Sequence, residues 1–262
     1  PVRARLAELA PGVELLENLR FNPGEEGNDP AFVSQLIQGI DMYVDDAFGA
    51  AHRSHASIVG PSRTLPSAAG RLLQREVDVL GDLREKPKRP FVAVLGGAKV
   101  SDKIGVIEAL QQRVDAFIIG GGMCFTFLAA KGYSVGASLL EIDQIENVKE
   151  ILKRAEKLNV EIVLPVDILV ADAFAADANT QCVSAEHIPD GWMGLDIGPD
   201  AIARFESSLA DAKTIMWNGP MGVFEMPAFA AGTKAVAVAM TKNAGMTVVG
   251  GGDSAAAVRL LG

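Results

Sequence analysis

The stretch "FVAVLGGAKVSDKIGVIEAL" (residues 91–110) decides the fold class of this chain. A continuous apolar run meets a pair of glycines and then a segment with helical periodicity. The same order recurs in "DAFIIGGGMCFTFLAA" (115–130), "TIMWNGPMGVFE" (214–225) and "TVVGGGDSAAAV" (247–258). Apolar strands without alternation indicate burial on both faces, so the pattern predicts an α/β fold with a parallel sheet covered by helices.

The bulk composition is that of a globular protein. The chain has 262 residues, 49% of them hydrophobic, and a net charge of −9. This negative net charge argues against broad electrostatic binding of nucleic acid, but it does not exclude a local site for an anionic ligand. No apolar run approaches the roughly 18 residues of a membrane span. Two cysteines without metal or redox spacing favour a cytoplasmic setting.

Residues 1–65 carry fewer strand signals than the rest of the chain. The strand candidates are "VELLEN" (13–18) and "IDMYVDD" (40–46), with a helix predicted between them at "PAFVSQLIQGI" (30–40). Two strands rarely make a stable sheet alone, so this part is interpreted as half of a domain. The first residues resemble the tail of a helix, and the last helix is short. We therefore expect a partial chain.

Residues 66–89 are predicted to form an interdomain helix and linker that ends in a proline-rich, basic stop. Residues 90–262 are predicted to form the second domain. Within it, "VEIVLPVDILVA" (160–171) contains Pro165 in mid-run. We therefore divide this segment into a strand, a turn and an edge segment.

The glycine turns have a chemical interpretation and a structural one. A helix N-terminus presents unpaired N–H groups and partial positive charge, and glycine lets a phosphate approach that backbone. A single turn of this kind is weak evidence for a ligand, because glycine also serves tight turns and close helix–strand packing. Four turns at the carboxyl ends of parallel strands predict a phosphorylated ligand lying across one sheet edge. The spacings match neither a Walker P-loop nor the G-x-G-x-x-G fingerprint.

Lys99 and Lys103 are spaced to share one face in the first turns of the predicted helix. Two cations at a helix N-terminus oppose the macrodipole, so an anionic ligand would account for them. Neutralisation by Asp102 in solvent is the alternative.

Other polar residues follow the remaining strands. In "WNGPMGVFE", Asn218, Pro220 and Glu225 suit a nucleotide, with Glu225 on ribose hydroxyls, or form an ordinary turn. Asp253 is either an N-cap or a group near nucleotide-bound Mg²⁺, with Ser254 on phosphate oxygens.

In the first part of the chain, Arg20 and Arg53 follow the strand candidates, and arginine suits carboxylate or phosphate recognition. Each is otherwise an ordinary surface arginine. His52 and His55 lack further metal ligands at suitable spacing, and Cys124 is interpreted as a core residue.

Eight segments taken together resemble the phosphoglycerate kinase family, in the family's order over nearly the whole chain. They are "LLENLRF", "DAFGAAHR", "LGGAKVSDKI", "IIGGGMCFTFL", "LPVD", "GWMGLDIGP", "WNGPMGVFE" and "GGGDS". The resemblance implies two Rossmann-like three-layer αβα domains with parallel sheets, the first of them incomplete here. It also implies a monomeric, hinge-bending phosphotransferase of glycolysis that converts 1,3-bisphosphoglycerate and ADP to 3-phosphoglycerate and ATP.

Site residues follow from the same resemblance. Arg20 and Arg53 would hold the phosphoglycerate, and Lys99 would stabilise the transferring phosphoryl group. The Mg-nucleotide would be held by Gly97, Lys103, Gly121, Asn218, Pro220, Glu225, Gly251, Gly252, Asp253 and Ser254. Asp253 would approach Mg²⁺ through the nucleotide.

Three functional interpretations stay open at this point. The family's opening and closing segments have no counterpart in these residues, so the chain itself is interpreted as a Mg-nucleotide-binding remnant without turnover. Active kinase chemistry is assigned to a full-length parent. A Rossmann dehydrogenase that binds NAD is the unrelated alternative.

Overall fold

The computed structural model describes residues 2–261 and divides the chain into two compact units. The first unit extends to Asp82 and the second begins at Leu83, so the division falls inside one helix. This helix lies in the segment predicted as the connector. The assignment of domains to residues 1–65 and 90–262 stays a prediction.

The first unit consists of helices around a short parallel strand pair. Its helices are α1 Val2–Leu9, α2 Pro23–Glu26, α3 Pro30–Leu36, α4 Ala56–Thr64 and α5 Arg71–Glu85, the last reaching into the second unit. Strands β1 Tyr43–Asp45 and β2 Ser67–Ala69 pair in parallel. The predicted helix at 30–40 is confirmed but ends at Leu36. The strand predicted at 13–18 is wrong: these residues have no strand partner, and Val13 and Leu16 are exposed.

The second unit alternates strands and helices. Its strands are β3 Phe91–Leu95, β4 Ala116–Ile119, β5 Ser134–Val135, β6 Glu161–Val163, β7 Asp167–Ala171, β8 Thr180–Ser184, β9 His187–Ile188, β10 Met193–Ile197, β11 Thr214–Asn218 and β12 Met246–Gly250. Its helices are α6 Ile104–Leu110, α7 Cys124–Ala130, α8 Ile145–Lys157, α9 Pro199–Ala210, α10 Ala231–Lys242 and α11 Gly252–Leu261.

The predicted parallel sheet is confirmed, with the order β12-β11-β3-β4-β6 among the described residues. Helices cover both faces. Alternate strand residues such as Phe117 pack with α7 and α8, whereas Ile118 packs with α9 and α10. The alternation makes three layers and explains the unbroken apolar runs. Strand β12 departs from the prediction, because Met246 and Val249 at this sheet edge are exposed.

A second sheet, β10-β7-β8, is antiparallel and was not predicted. Strand β7 is its central strand, with β10 on one side and β8 on the other. The interpretation of this segment as an edge is therefore wrong. Pro165 does separate β6 from β7 as predicted, but β7 contains no proline and can bond on both sides.

Candidate functional site

The glycine turns after three parallel strands meet at the carboxyl edge of the sheet. Gly96 N–H donates to the carbonyl of Asn218, and Gly97 N–H donates to that of Pro220, both at 3.0 Å. Gly121 N–H donates to the carbonyl of Met221 at 3.0 Å. These bonds join the loops after β3, β4 and β11, because parallel strand ends lie along one edge.

Beside these turns lies a polar cleft of about 350 Å³. It is lined by Gly96, Gly97, Ala98, Lys99, Asp102, Lys103, Asn218, Gly219, Gly251, Gly252, Asp253 and Ser254. The structure thus brings together both predicted lysines, Asn218 and the "GGDS" residues from distant parts of the sequence. Two ammonium groups and a helix N-terminus make the cleft suited to an anion with several oxygens.

The two lysines lie in a loop rather than in a helix, which corrects the prediction. Helix α6 begins at Ile104, with Lys103 at its N-cap position. Val100 is fully buried and its carbonyl accepts the N–H of Lys103, so the chain turns here before the helix starts. The shared-face argument for the lysines therefore fails. Their nearness comes from the fold of the loop.

Lys103 is held by a hydrogen bond to a residue at the end of strand β11. Its Nζ donates to Oδ1 of Asn218, which ends β11. This bond aims the half-buried ammonium across the cleft. Lys99 is exposed, and its ammonium makes no hydrogen bond or ion pair to any of residues 2–261.

Helix α11 contributes its first turn to the cleft. Gly252 and Asp253 are exposed there, and Asp253 is the acidic residue of that turn. Ser254 is buried, and its Oγ accepts the N–H of Gly219 at 2.6 Å. The serine hydroxyl therefore fastens the Asn-Gly-Pro turn to α11, in addition to any contact with a ligand.

A larger, mainly apolar cavity of about 470 Å³ adjoins the cleft. Gly97, Ala98 and Asp253 line both spaces, so the two are adjacent. The predicted residues Gly121, Pro220 and Glu225 line the apolar cavity rather than the cleft. A ligand with an apolar body and a polyanionic tail fits this division.

Asp196 is a buried carboxylate in the wall of the apolar cavity. It accepts the backbone N–H of Gly232 at 2.9 Å, near the start of α10, and that of Ile197 at 2.9 Å. Burial raises the pKa of Asp196 to about 7 despite these bonds. Gly222 and Gly232 both need bare backbone here, because a Cβ on either would overlap the carboxylate.

The glycines of the site divide into two groups. A Cβ on Gly219 would overlap the carbonyl of Gly96, so this glycine serves close backbone packing. Gly97 and Gly252 face open space, and Gly97 also has φ +100°. Backbone open to the cleft at these two positions is what an approaching anion requires.

The predicted arginines lie in the first unit. Arg20 is in a short 3₁₀ turn, Leu19–Phe21, and Arg53 follows another, Phe48–Ala50. Both side chains are exposed. Their role stays a prediction.

Several site residues were missed from sequence. Asp102 was treated only as a counter-ion, yet it lines the cleft. The apolar cavity also takes in Leu139, Phe174 and the strand "MGLDI" (193–197). The motif that contains this strand predicts no contact with a ligand, because a packed apolar wall carries no spacing signal. Nothing in a single sequence links these segments.

The other features considered in the sequence are Cys124, metal binding and membrane spanning. Cys124 is buried in the core as predicted, and burial raises the pKa of its thiol. Among residues 2–261 no group of three or more His, Cys, Asp or Glu side chains is placed to hold a metal ion. No described helix is long and apolar enough to cross a membrane.

The fold and this site define an α/β protein with a lysine-lined polar cleft beside an apolar cavity, an arrangement that suits an anionic ligand. Comparison with known proteins identifies its family. The phosphoglycerate kinase family matches residues 1–262, and the chain belongs to that family.

Individual relatives agree. The chain is 56% identical over 262 residues to a phosphoglycerate kinase of Moorella thermoacetica, covering 100% of this chain and 67% of that protein. It is 57% identical to the Salinispora tropica enzyme, covering 99% and 66%. The solved structure of phosphoglycerate kinase from Coxiella burnetii has TM-score 0.86 at 41% identity, over 93% of this chain and 63% of that one. The chain therefore spans about two thirds of the length of these relatives.

Proposed function

We propose that the chain carries the nucleotide half of a phosphoglycerate kinase, which transfers a phosphoryl group between 1,3-bisphosphoglycerate and ADP. The products are 3-phosphoglycerate and ATP. The observation that carries the proposal is the pair of adjacent spaces: an apolar cavity of about 470 Å³ lies beside a polar cleft lined by Lys99 and Lys103. Family membership supplies the reaction class.

The polar cleft suits phosphoryl transfer by positioning and charge. In the ATP-consuming direction the attacking group is a carboxylate, which is ionised at neutral pH and needs no general base. Lys103, held by Asn218, would bind nucleotide phosphates, and the less restrained Lys99 would face the transferring group. The exposed backbone of Gly251 and Gly252 would donate N–H groups to phosphate oxygens.

The apolar cavity would hold the nucleoside. Gly97, Gly121 and Pro220 give it flat backbone walls, and Glu225 at its edge would accept hydrogen bonds from ribose hydroxyls. Arg20 and Arg53 of the first unit would bind the phosphoglycerate by their forked guanidinium groups.

Asp253 fits a magnesium ion carried by the nucleotide. Its carboxylate is exposed beside the cleft and accepts no hydrogen bond from the described residues. Magnesium prefers oxygen ligands and commonly takes one or two carboxylates together with substrate phosphates. When bound, it would neutralise charge on the phosphate oxygens. We further propose a cytoplasmic monomer that acts on small molecules and binds neither nucleic acid nor membrane.

Calorimetric titration of Mg-ADP into the purified chain tests the nucleotide site. We expect binding in the micromolar range that weakens about tenfold or more in Lys103→Ala, because a charge-assisted contact is lost. Lys153→Ala, which breaks only an exposed ion pair with Glu150, is the matched control and should bind normally. Equal affinities in wild type and Lys103→Ala would contradict the assignment.

Turnover is tested separately by transfer of phosphate from ATP to 3-phosphoglycerate. Transfer supports the kinase proposal, whereas binding without transfer supports a nucleotide-binding role.

A further inference from the structure

The lysine loop, residues 98–103, is held by a carboxylate that lies outside the cleft. Glu141 Oε2 accepts the N–H of Ser101 at 3.0 Å, and its Oε1 accepts the Ser101 hydroxyl at 2.6 Å. Ser101 stands midway between Lys99 and Lys103 in the sequence. One carboxylate therefore makes two hydrogen bonds to the centre of the loop.

Glu141 is itself anchored to the body of the second unit. Its N–H donates to Oγ1 of Thr126 at 3.3 Å, and Thr126 is buried within α7. On the loop side, Val100 is fully buried next to Ser101. The two hydrogen bonds between Glu141 and Ser101 thus connect two backbone segments that are each anchored in the second unit, one through Thr126 and the other through Val100.

The same segment reaches the apolar cavity. Leu139, two residues before Glu141, lines that cavity, as does Ala98 at the start of the lysine loop. Both approach Gly122: a Cβ there would lie 2.9 Å from the Leu139 side chain and 3.0 Å from the Ala98 carbonyl. These contacts with Gly122 place Leu139 and Ala98 in the cavity wall without involving the Glu141 carboxylate, whose two hydrogen bonds go to Ser101.

Electrostatics favour this arrangement. Desolvation acts to raise the pKa of Glu141, but the hydrogen bonds from the Ser101 hydroxyl and N–H outweigh it and hold the pKa below its usual value. The carboxylate is therefore ionised at neutral pH. Asn218 already holds the Lys103 ammonium, whereas Lys99 has no such partner among residues 2–261, so the position of Lys99 depends on how the loop itself is held.

We propose that Glu141 is a positioning residue for the lysine loop, which it fixes through Ser101 so that Lys99 and Lys103 meet the phosphates of a bound nucleotide. The inference rests on the proposed function. It predicts that loss of the Glu141 carboxylate weakens the contacts to the phosphates of the nucleotide and leaves the contacts to its nucleoside unchanged.

The test compares Mg-ADP with adenosine, the first by calorimetry and the second by NMR shift titration. We expect Glu141→Gln and Ser101→Ala each to weaken Mg-ADP about threefold to tenfold and to leave adenosine unchanged. The double variant should lose less than the sum of the two single effects, since both act through one interaction. Ser101→Thr, which keeps the hydroxyl, should restore most of the affinity. Glu146→Gln, which breaks an exposed pair with Lys149, is the control.

Contrary outcomes are distinct. Equal loss of Mg-ADP and adenosine would assign Glu141 a general structural role and overturn the inference, as would additive losses or unchanged Mg-ADP affinity in both single variants. Absence of Mg-ADP binding by the folded wild type would instead remove the proposed function, and this inference with it.

Discussion

The two units bury very different kinds of side chain. In the second unit, large apolar residues such as Phe117 and Trp217 are fully buried on the two faces of the parallel sheet. In the described part of the first unit, the buried apolar side chains are small, such as Ala56 and Pro61, while Phe21 is 76% exposed. Apolar burial is the main stabilising term in folding, so we infer that the second unit holds most of the stability.

Both units nevertheless bury a carboxylate at the start of a helix. Asp196 accepts the Gly232 N–H near the start of α10. Glu25 accepts the Ser57 N–H at 3.0 Å, in the first turn of α4. Buried carboxylates that accept N–H groups at a helix start thus occur in both units, whereas a core of large apolar side chains is found in the second unit.

The largest expected effect is on that core. Phe117→Ala should lower the free energy of unfolding by about 3–5 kcal/mol, because it removes a fully buried ring from the central sheet. Phe21→Ala is the matched substitution in the first unit and should change it by less than about 0.5 kcal/mol. Denaturant unfolding of both variants measures the difference. Similar costs would abolish the contrast between the units.

The next effect concerns pH and Asp196. Because burial raises its pKa from 3.8 to about 7, the folded state holds this proton more tightly than the unfolded chain does. The contribution of Asp196 to stability therefore falls as pH rises through that window, and the loss is complete above about pH 7. Relative to Asp196→Asn, wild type should lose on the order of 3 kcal/mol between pH 4 and pH 8.

Denaturant unfolding of both proteins at several pH values measures this effect. Subtracting the variant cancels the other titrating groups. A difference that is flat with pH, or that grows in favour of wild type, would contradict the buried-carboxylate account. Gly222→Ala is a second variant for the same site, and it should lower the free energy of unfolding because the added Cβ would overlap the Asp196 carboxylate.

The smallest expected effect lies in the first unit. Glu25→Ala should lower the free energy of unfolding of the first unit by about 1–3 kcal/mol, because the Ser57 N–H and hydroxyl both lose their acceptor. Hydrogen exchange should speed up at the amides of α4 and stay unchanged in β3 and β4. Glu26→Ala, at an exposed neighbouring position, should have little effect. Faster exchange throughout the second unit would mean that the two units do not unfold separately.

Much of the second unit could be predicted from its sequence. Unbroken apolar runs mark strands that are buried on both faces, and the glycines after them mark strand ends. The lysine, asparagine and aspartate candidates of the cleft lie in or beside these glycine turns, and they come together because parallel strand ends meet at one edge. Where a strand has neighbours and helices on both sides, as β3 and β4 do, local pattern and environment agree.

The failures share a physical cause, which is dependence on a distant partner. "VELLEN" has apolar residues but no strand beside it, and a strand without a ladder is not formed. Pro165 suggested that β7 was an edge, yet β10 and β8 both pair with it. The helix predicted over Lys99 and Lys103 starts later, because Val100 packs into the core and turns the chain.

The sequence by itself determined the α/β class, the positions of the glycine turns and the residue types that can hold phosphate. These are set by local periodicity and by the freedom of glycine, and both are properties of short segments. Only the tertiary structure decided that Lys103 meets Asn218, that Gly219 packs on Gly96, and that Glu141 holds the lysine loop. Each of these contacts joins residues far apart in the chain, and their distances are fixed by packing, which no single segment encodes.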